Sequence, residues 1–268
     1  MIRFEQASRI VRGHPLLQAV NIEATSGSMT ALIGPNGAGK STLISLAAGL
    51  HEPSSGTVYF DSRPLPEWST ALIARRRARL AQQTTVAFPF STLEVVLFGR
   101  HPHHHGRETT HDRRIALAAM EQAGVGHLMD RQFDTLSGGE QQRVHFARCL
   151  AQLHGDQTGR CLLLDEPVAS LDLAHQHRLL ASVAELCRQG LTAIVVIHDL
   201  TLAARYADVL WVMDHGRLVA EGAPPSVLTA DLLDQVFQVK AEPRFLEDRI
   251  CHLHVRATHA VGGTEQSH

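Results

Sequence analysis

The stretch "MTALIGPNGAGKST" (29–42) restricts the fold more than any other part of the chain. Met29–Ile33 is a short apolar run that reads as a buried strand, and a helix is expected from near Lys40 to Gly49. Between them, Gly34-Pro35-Asn36-Gly37-Ala38-Gly39 is too glycine-rich to extend either element. Such a turn leaves backbone N–H groups uncovered, and the helix that follows adds the positive end of its dipole. The spacing fits G-x-x-x-x-G-K-[ST] through Gly34, Gly39, Lys40 and Ser41, which chance supplies in about one chain of this length in a hundred. Asn36, Gly37, Ala38, Gly39, Lys40, Ser41 and Thr42 form the expected cradle for the phosphates of a nucleotide. Lys40 meets the β- and γ-phosphates, and Ser41 offers its hydroxyl to Mg²⁺.

With 268 residues the chain is long enough for one large α/β domain or two small ones. A formal net charge of −2 gives no field that would gather nucleic acid, so none is expected as a partner. No apolar run approaches the roughly 18 residues of a spanning helix, and "MIRFEQASRIVRG" has no export-type apolar core. Cys149, Cys161, Cys187 and Cys251 form no C-x-x-C pair and read as reduced, small hydrophobes of a cytoplasmic protein. The run Arg75-Arg76-Arg77, with Arg79, reads as the solvated face of a helix over 70–80.

Strands are expected at 2–6, 16–24, 57–60, 161–166, 192–199 and, as a pair joined by a turn, over 209–222. Helices are expected at 92–99, 112–124 and 138–153. Alternating strands and helices predict an α/β fold with a largely parallel sheet and a helical insertion near its middle. The tail from 258 to 268, "HAVGGTEQSH" after Thr258, is expected to be disordered.

Two further segments carry chemistry. In "CLLLDEP", Asp165 ends an apolar strand, where ligands of open α/β sheets collect, and is placed to hold hydrated Mg²⁺. Glu166 beside it is the candidate base that polarises the attacking water, and His198, ending "IVVIHD", is the candidate γ-phosphate contact. "LSGGEQQR" (136–143) opens another helix. Ser137 and Glu140 spell a capping box, while Gly138 and Gly139 leave amides open, giving a second anion nest. One phosphate loop already encloses one nucleotide, so the second nest is expected to serve the nucleotide of another copy of the chain.

"GPNGAGKST", "LSGGEQ", "LLLDEP", "ASLD" and "VIHD", in this order, resemble the ATP-binding subunits of ABC transporters over about residues 3–240. The resemblance implies a P-loop NTPase fold with an ABC-type core sheet and an inserted helical subdomain. It implies one ATPase domain over 1–257, with a RecA-like core at about 1–83 and 156–240 and the helical subdomain at about 84–155. It also implies a homodimer with two composite ATP sites, in which Ser137, Gly138, Gly139 and Glu140 face the partner's nucleotide. Gln82 matches the glutamine that joins metal and water, with Gln83 the alternative, and Asp172 of "ASLD" matches the residue that senses the partner site. Val11 stands where many members carry an aromatic residue against adenine.

"FPFSTLEVVLFGRHPHHHG" (88–106) resembles the importers of iron chelates, haem and corrinoids, and "LDEPVASLDLAHQH" resembles the haem importer ATPases more than the siderophore or vitamin B12 ones. That resemblance implies a peripheral subunit at the cytoplasmic face of the inner membrane. Its partners would be a permease dimer, docking near Phe88–Arg100, and indirectly a periplasmic or lipoprotein substrate-binding protein. Soluble members of the iron–sulfur cluster-assembly type are the weaker alternative. His101, His103, His104 and His105 lie in a Pro/Gly-flanked run and read as a solvated loop, not a ligand set.

Overall fold

All five residues of strand β3 (Met29–Ile33) are buried, because this strand lies inside a sheet covered on both faces. A computed structural model describes residues 1–81, 89–104, 106–246 and 250–255. Its six-stranded sheet has the order β10 (Arg217–Gly222), β9 (Val209–Asp214), β3, β8 (Thr192–Val196), β7 (Cys161–Asp165) and β6 (Arg77–Leu80). Every neighbouring pair is parallel except β9 with β10, an antiparallel hairpin at one edge. The register sets Asp165 opposite Val196 and Leu32 opposite Val196. Strands β3, β7 and β8 therefore end together, and the loops that follow them converge on one edge.

Side chains alternate across the sheet. Met29, Ala31 and Ile33 point into a core shared with helices α3 (Thr92–Leu97), α4 (Thr110–Gln122), α5 (Gly138–Gln152), α6 (Leu173–Arg188) and α7 (Leu200–Tyr206). Leu32 points the other way, into a core shared with α1 (Lys40–Ala47). A second, antiparallel sheet closes that side, in the order β2 (His14–Ala24), β1 (Ile2–Val11), β4 (Ser55–Phe60) and β5 (Arg63–Pro64). Phe4 and Phe60 are its largest fully buried side chains. Helix α1 is thus held between two sheets, which fixes the loop in front of it.

The helices expected at 92–99, 112–124 and 138–153 fall on α3, α4 and α5, and a short 3-10 segment over Phe98–His103 extends the first. Capping boxes at Ser91, Thr109 and Ser137 start them. The helical segment joins β6 to β7, so it sits at the edge of the sheet and not near its middle. The helix expected over 70–80 is a second correction. Helix α2 (Thr70–Ala74) is shorter, and residues 77–80 form strand β6, because Ala78 and Leu80 are needed in the core beside β7. Arginine favours a helix by intrinsic propensity, so here packing overrides it.

The histidine run is a third correction. His103 and His104 are half-buried, His103 Nε2 contacts the Gln152 carbonyl at 2.8 Å, and His101 stacks edge-on between Phe98 and His104. His105 lies outside the described residues. Among the described residues no group of three or more histidine, cysteine, aspartate or glutamate side chains is placed to hold a metal ion. Elements that the sequence patterns do not announce are α6, α7, α8 (Pro224–Val227), α9 (Ala230–Phe237) and a final hairpin, β11 (Ala241–Leu246) with β12 (Ile250–Val255). Cys149, Cys161 and Cys187 are buried and free, and burial pushes the thiols of Cys161 and Cys187 up to about 12. The tail from 258 to 268 lies outside the described residues. No helix among them is long and apolar enough to cross a membrane.

Candidate nucleotide site

The loop after β3 has no room for side chains at two of its glycines. A Cβ on Gly34 would stand 2.1 Å from the Met213 carbonyl oxygen, and one on Gly39 would stand 2.7 Å from that of Leu16. Both have positive φ, 143° and 100°, so only glycine fits on either count. The loop is pinned from outside as well, since Gly216 N–H donates to the Ala38 carbonyl at 3.0 Å. Ala38 is buried, whereas Asn36 and Gly37 are exposed at the tip. Thr42 is half-buried on the first turn of α1.

Lys40 is 6% exposed, and its ammonium donates to the carbonyls of Gly34 at 2.7 Å and Pro35 at 2.8 Å. Burial lowers its pKa, and the charges of Glu166 and Asp165 act against that. Its neighbour Ser41 donates its hydroxyl to Asp165 Oδ1 at 3.2 Å. Asp165 is 2% exposed. Burial pushes its carboxyl above the usual range, while the Ser41 hydrogen bond, Arg79 and Lys40 pull it down. A hydroxyl and a carboxylate facing each other from α1 and β7 are the hard oxygen donors that suit Mg²⁺, and the exposure of Ser41 leaves that side open.

Glu166 adopts a left-handed backbone at φ 53°, an uncommon conformation for a residue with a side chain. That turn carries its carboxylate to His198, with Oε1 2.6 Å from Nε2 across the ends of β7 and β8. With Glu166 as a carboxylate, Nε2–H is the donor in this contact. Gln142 of α5 donates to the Glu166 carbonyl at 3.5 Å, so the second glycine segment is tied to this turn.

The capping box expected at 137–140 forms: Glu140 N–H donates to Ser137 Oγ at 3.4 Å, and Ser137 N–H and Oγ each donate to Glu140 Oε2 at 2.8 Å. These bonds hold the Glu140 carboxyl below its usual range, the Ser137 N–H first among them. Gly138 faces open space, and a Cβ there would meet nothing within 4 Å among the described residues. Gly139 is crowded by the Ser170 carbonyl, where a Cβ would come within 2.9 Å. Asp172 caps α6, accepting from His175 N–H at 2.9 Å and approaching His175 Nδ1 at 2.8 Å. The His175 amide, then its ring, lowers the Asp172 carboxyl.

One edge of the molecule therefore brings together Lys40, Ser41, Asp165, Glu166 and His198. Gln82, Gln83 and Phe88 lie outside the described residues. Val11 is partly exposed at the end of β1, paired with His14. Three contributors escape sequence reasoning: Arg79, Gln142 and His175. The last two sit within recognised motifs, so their neighbours were a usable signal, whereas an arginine inside an arginine run gives none.

The profile of the ABC transporter family matches residues 17–169. Over 227 residues the chain is 48% identical to the hemin import ATP-binding protein HmuV of Gloeobacter violaceus, covering 84% of this chain and 82% of that one. Over 237 residues it is 44% identical to the protein of the same name from Pseudomonas aeruginosa, covering 88% and 92%. Among solved structures, a chain described as a metal-chelate type ABC transporter in an inward-facing conformation superposes with a TM-score of 0.79. It is 25% identical, over 96% of this chain and 97% of that chain. A bacterial ABC transporter cassette, MJ0796, solved as a dimer, gives a TM-score of 0.75 at 25% identity, over 84% and 99%. With the loop geometry and these relatives together, the chain belongs to the ABC transporter family as one of its ATP-binding subunits.

Proposed function

We propose that the chain is the ATP-hydrolysing motor of a haem importer, acting as a homodimer bound to a permease dimer at the cytoplasmic face of the inner membrane. The observation that carries the ATPase reading is the 2.6 Å contact of Glu166 with His198, beside the Ser41–Asp165 pair and Lys40. The 44–48% identity to hemin import ATP-binding proteins supports haem as cargo. A periplasmic or lipoprotein substrate-binding protein would deliver it.

In this reading Lys40 leaves its two carbonyls to neutralise the β- and γ-phosphates. Ser41 and Asp165 would hold Mg²⁺, joined by Gln82. The metal supplies charge stabilisation for the transferring phosphoryl group. Glu166 accepts the proton of the attacking water, and His198 fixes the carboxylate's direction while facing the γ-phosphate. The amides of Gly138 and Gly139, with Ser137 and Glu140 capping their helix, approach the nucleotide of the partner, and Asp172 borders that interface. Closing two such sites and reopening them after hydrolysis would drive the permease between its inward and outward states.

Glu166→Gln tests this directly. The variant is expected to bind ATP with affinity near that of the parent chain, to lose about 99% or more of hydrolysis, as removal of a general base costs some 10²–10⁴-fold, and to elute as an ATP-dependent dimer. A hydrolysis rate near that of the parent would refute the assignment of Glu166. Haem uptake into vesicles carrying the complete transporter, with corrinoid and siderophore as competitors, tests the cargo.

A further inference from the structure

Strand β6 carries two arginines on one face. Ala78 and Leu80 point into the helical core, so Arg77 and Arg79 point to the side of α1. Arg77 donates to the Ala47 and Ala48 carbonyls at the end of α1, at 3.0 and 2.5 Å. Arg79 does something different. Its guanidinium Nη2 stands 3.8 Å from Asp165 Oδ2, the oxygen that Ser41 does not engage. Its Nε is buried and has no hydrogen-bond partner among the described residues. The backbone that aims it is fixed from both sides: Arg79 pairs with Leu163 in the ladder, and its carbonyl accepts from Arg148 of α5 at 3.0 Å.

We propose that Arg79 is a positioning residue that holds Asp165 until a divalent metal takes the carboxylate, and that it thereby sets the metal affinity of the site. The inference rests on the reading of Ser41 and Asp165 as metal-holding residues. The Asp165 side chain is 3% exposed, and Lys40 is turned to two carbonyls. Among the described residues Arg79 makes the ion pair that balances this buried carboxylate, which would otherwise be costly to ionise. Two effects then compete when metal arrives. The guanidinium restrains the carboxylate's rotation, which favours binding. It also occupies Oδ2 and repels a dication. A pair at 3.8 Å with an idle Nε lies well outside the roughly 2.7–2.9 Å of a strong charge-assisted hydrogen bond, so the restraint is weak. Repulsion between full charges needs no alignment and wins. Arg79 therefore eases metal release after turnover by pairing again with Asp165.

The test is Mn²⁺ binding to the full-length protein with ADP, followed by the electron paramagnetic resonance signal of free Mn²⁺. Arg79→Met removes the charge and keeps the bulk, and is expected to bind Mn²⁺ about tenfold more tightly, the scale of one partly screened charge lost beside a dication. Arg79→Lys keeps a cation there and should stay within about twofold of the parent, as the charge argument requires. If Arg79→Met does not fold, Arg79→Gln makes the same measurement. Unchanged or weaker Mn²⁺ affinity in a folded, ADP-binding neutral variant would overturn the proposal. Asp165→Asn separates the two readings: it should lose Mn²⁺ binding, and its failure to do so would overturn the metal site and the role of Arg79 together.

Discussion

Lys40 shows how much chemistry one buried ammonium carries. Among the described residues its ammonium has no carboxylate at hydrogen-bond distance and donates to two loop carbonyls that the glycine turn aims at it. A charge held in this way exchanges readily for phosphate oxygens, which form stronger, charge-assisted bonds. Lys40→Ala is expected to weaken ATP binding by more than about tenfold, since such a contact is worth roughly 1.5–3 kcal/mol. A calorimetric titration measures it, and an affinity equal to that of the parent would make the loop a purely structural turn. At this scale the sequence was informative wherever spacing itself encodes geometry, as in Gly34, Gly39, Lys40 and Ser41. It was silent on the positive φ of Glu166, because "DEP" records residue types and not the turn that swings the side chain toward His198. It misdirected at Arg79, whose partner Asp165 is brought near only by the parallel pairing of β6 with β7.

Among the elements, the ends of α4 and α5 are locked by one buried ion pair. Arg100 Nε donates to Asp112 Oδ1 at 3.0 Å, and Nη1 donates to the Ala151 carbonyl at 2.7 Å. Asp112 is also the third residue of the Thr109 capping box, accepting from the Thr109 amide at 3.1 Å and hydroxyl at 2.6 Å. Burial pushes its carboxyl up, but the hydrogen bonds from Thr109 and Arg100 outweigh that and hold it at about 2. A folded value below the unfolded one, near 4, means the pair stabilises fully above pH about 4 and loses this as pH falls through about 2. Asp112→Asn should therefore cost about 3 kcal/mol at neutral pH, because a buried guanidinium is left without its carboxylate. It should also flatten the fall in stability between about pH 4 and 2. Urea unfolding across that range decides, and an acid limb as steep as that of the parent would assign the sensitivity elsewhere. Helices α3 to α5 were legible because caps and apolar periodicity agree in them. Strand β6 was not, since an alternation of arginine with alanine and leucine over four residues also fits a helix face, and only the neighbouring β7 resolves it.

At the scale of the whole molecule, one chain leaves two glycine-rich helix entrances exposed. Asn36 and Gly37 are exposed at the tip of the first, Ser137 and Gly138 at the mouth of the second. In the second, the inner residue Gly139 packs on the Ser170 carbonyl, while the outer residue Gly138 faces open space among the described residues. A second copy turned to face the first would cover both at once, and the related cassette MJ0796 has been solved as a dimer. The arrangement predicts a disulfide that can form only between chains. One protein carries Asn36→Cys and another Gly138→Cys, each with Glu166→Gln to hold the closed state and Cys251→Ser to remove a competing thiol. Cys149, Cys161 and Cys187 are buried and can remain. Position 138 accepts a side chain without a clash, so the substitution does not itself disturb the helix entrance. Mixed with ATP and a mild oxidant, the two proteins should give a covalent dimer on a denaturing gel, and neither should do so alone. Without nucleotide the band should fade, because two anion nests have no reason to meet when no phosphate lies between them. A mixture that stays monomeric with ATP, while the Glu166→Gln protein still dimerises on gel filtration, would show that the chains associate by some other face and that the second glycine nest has a different ligand.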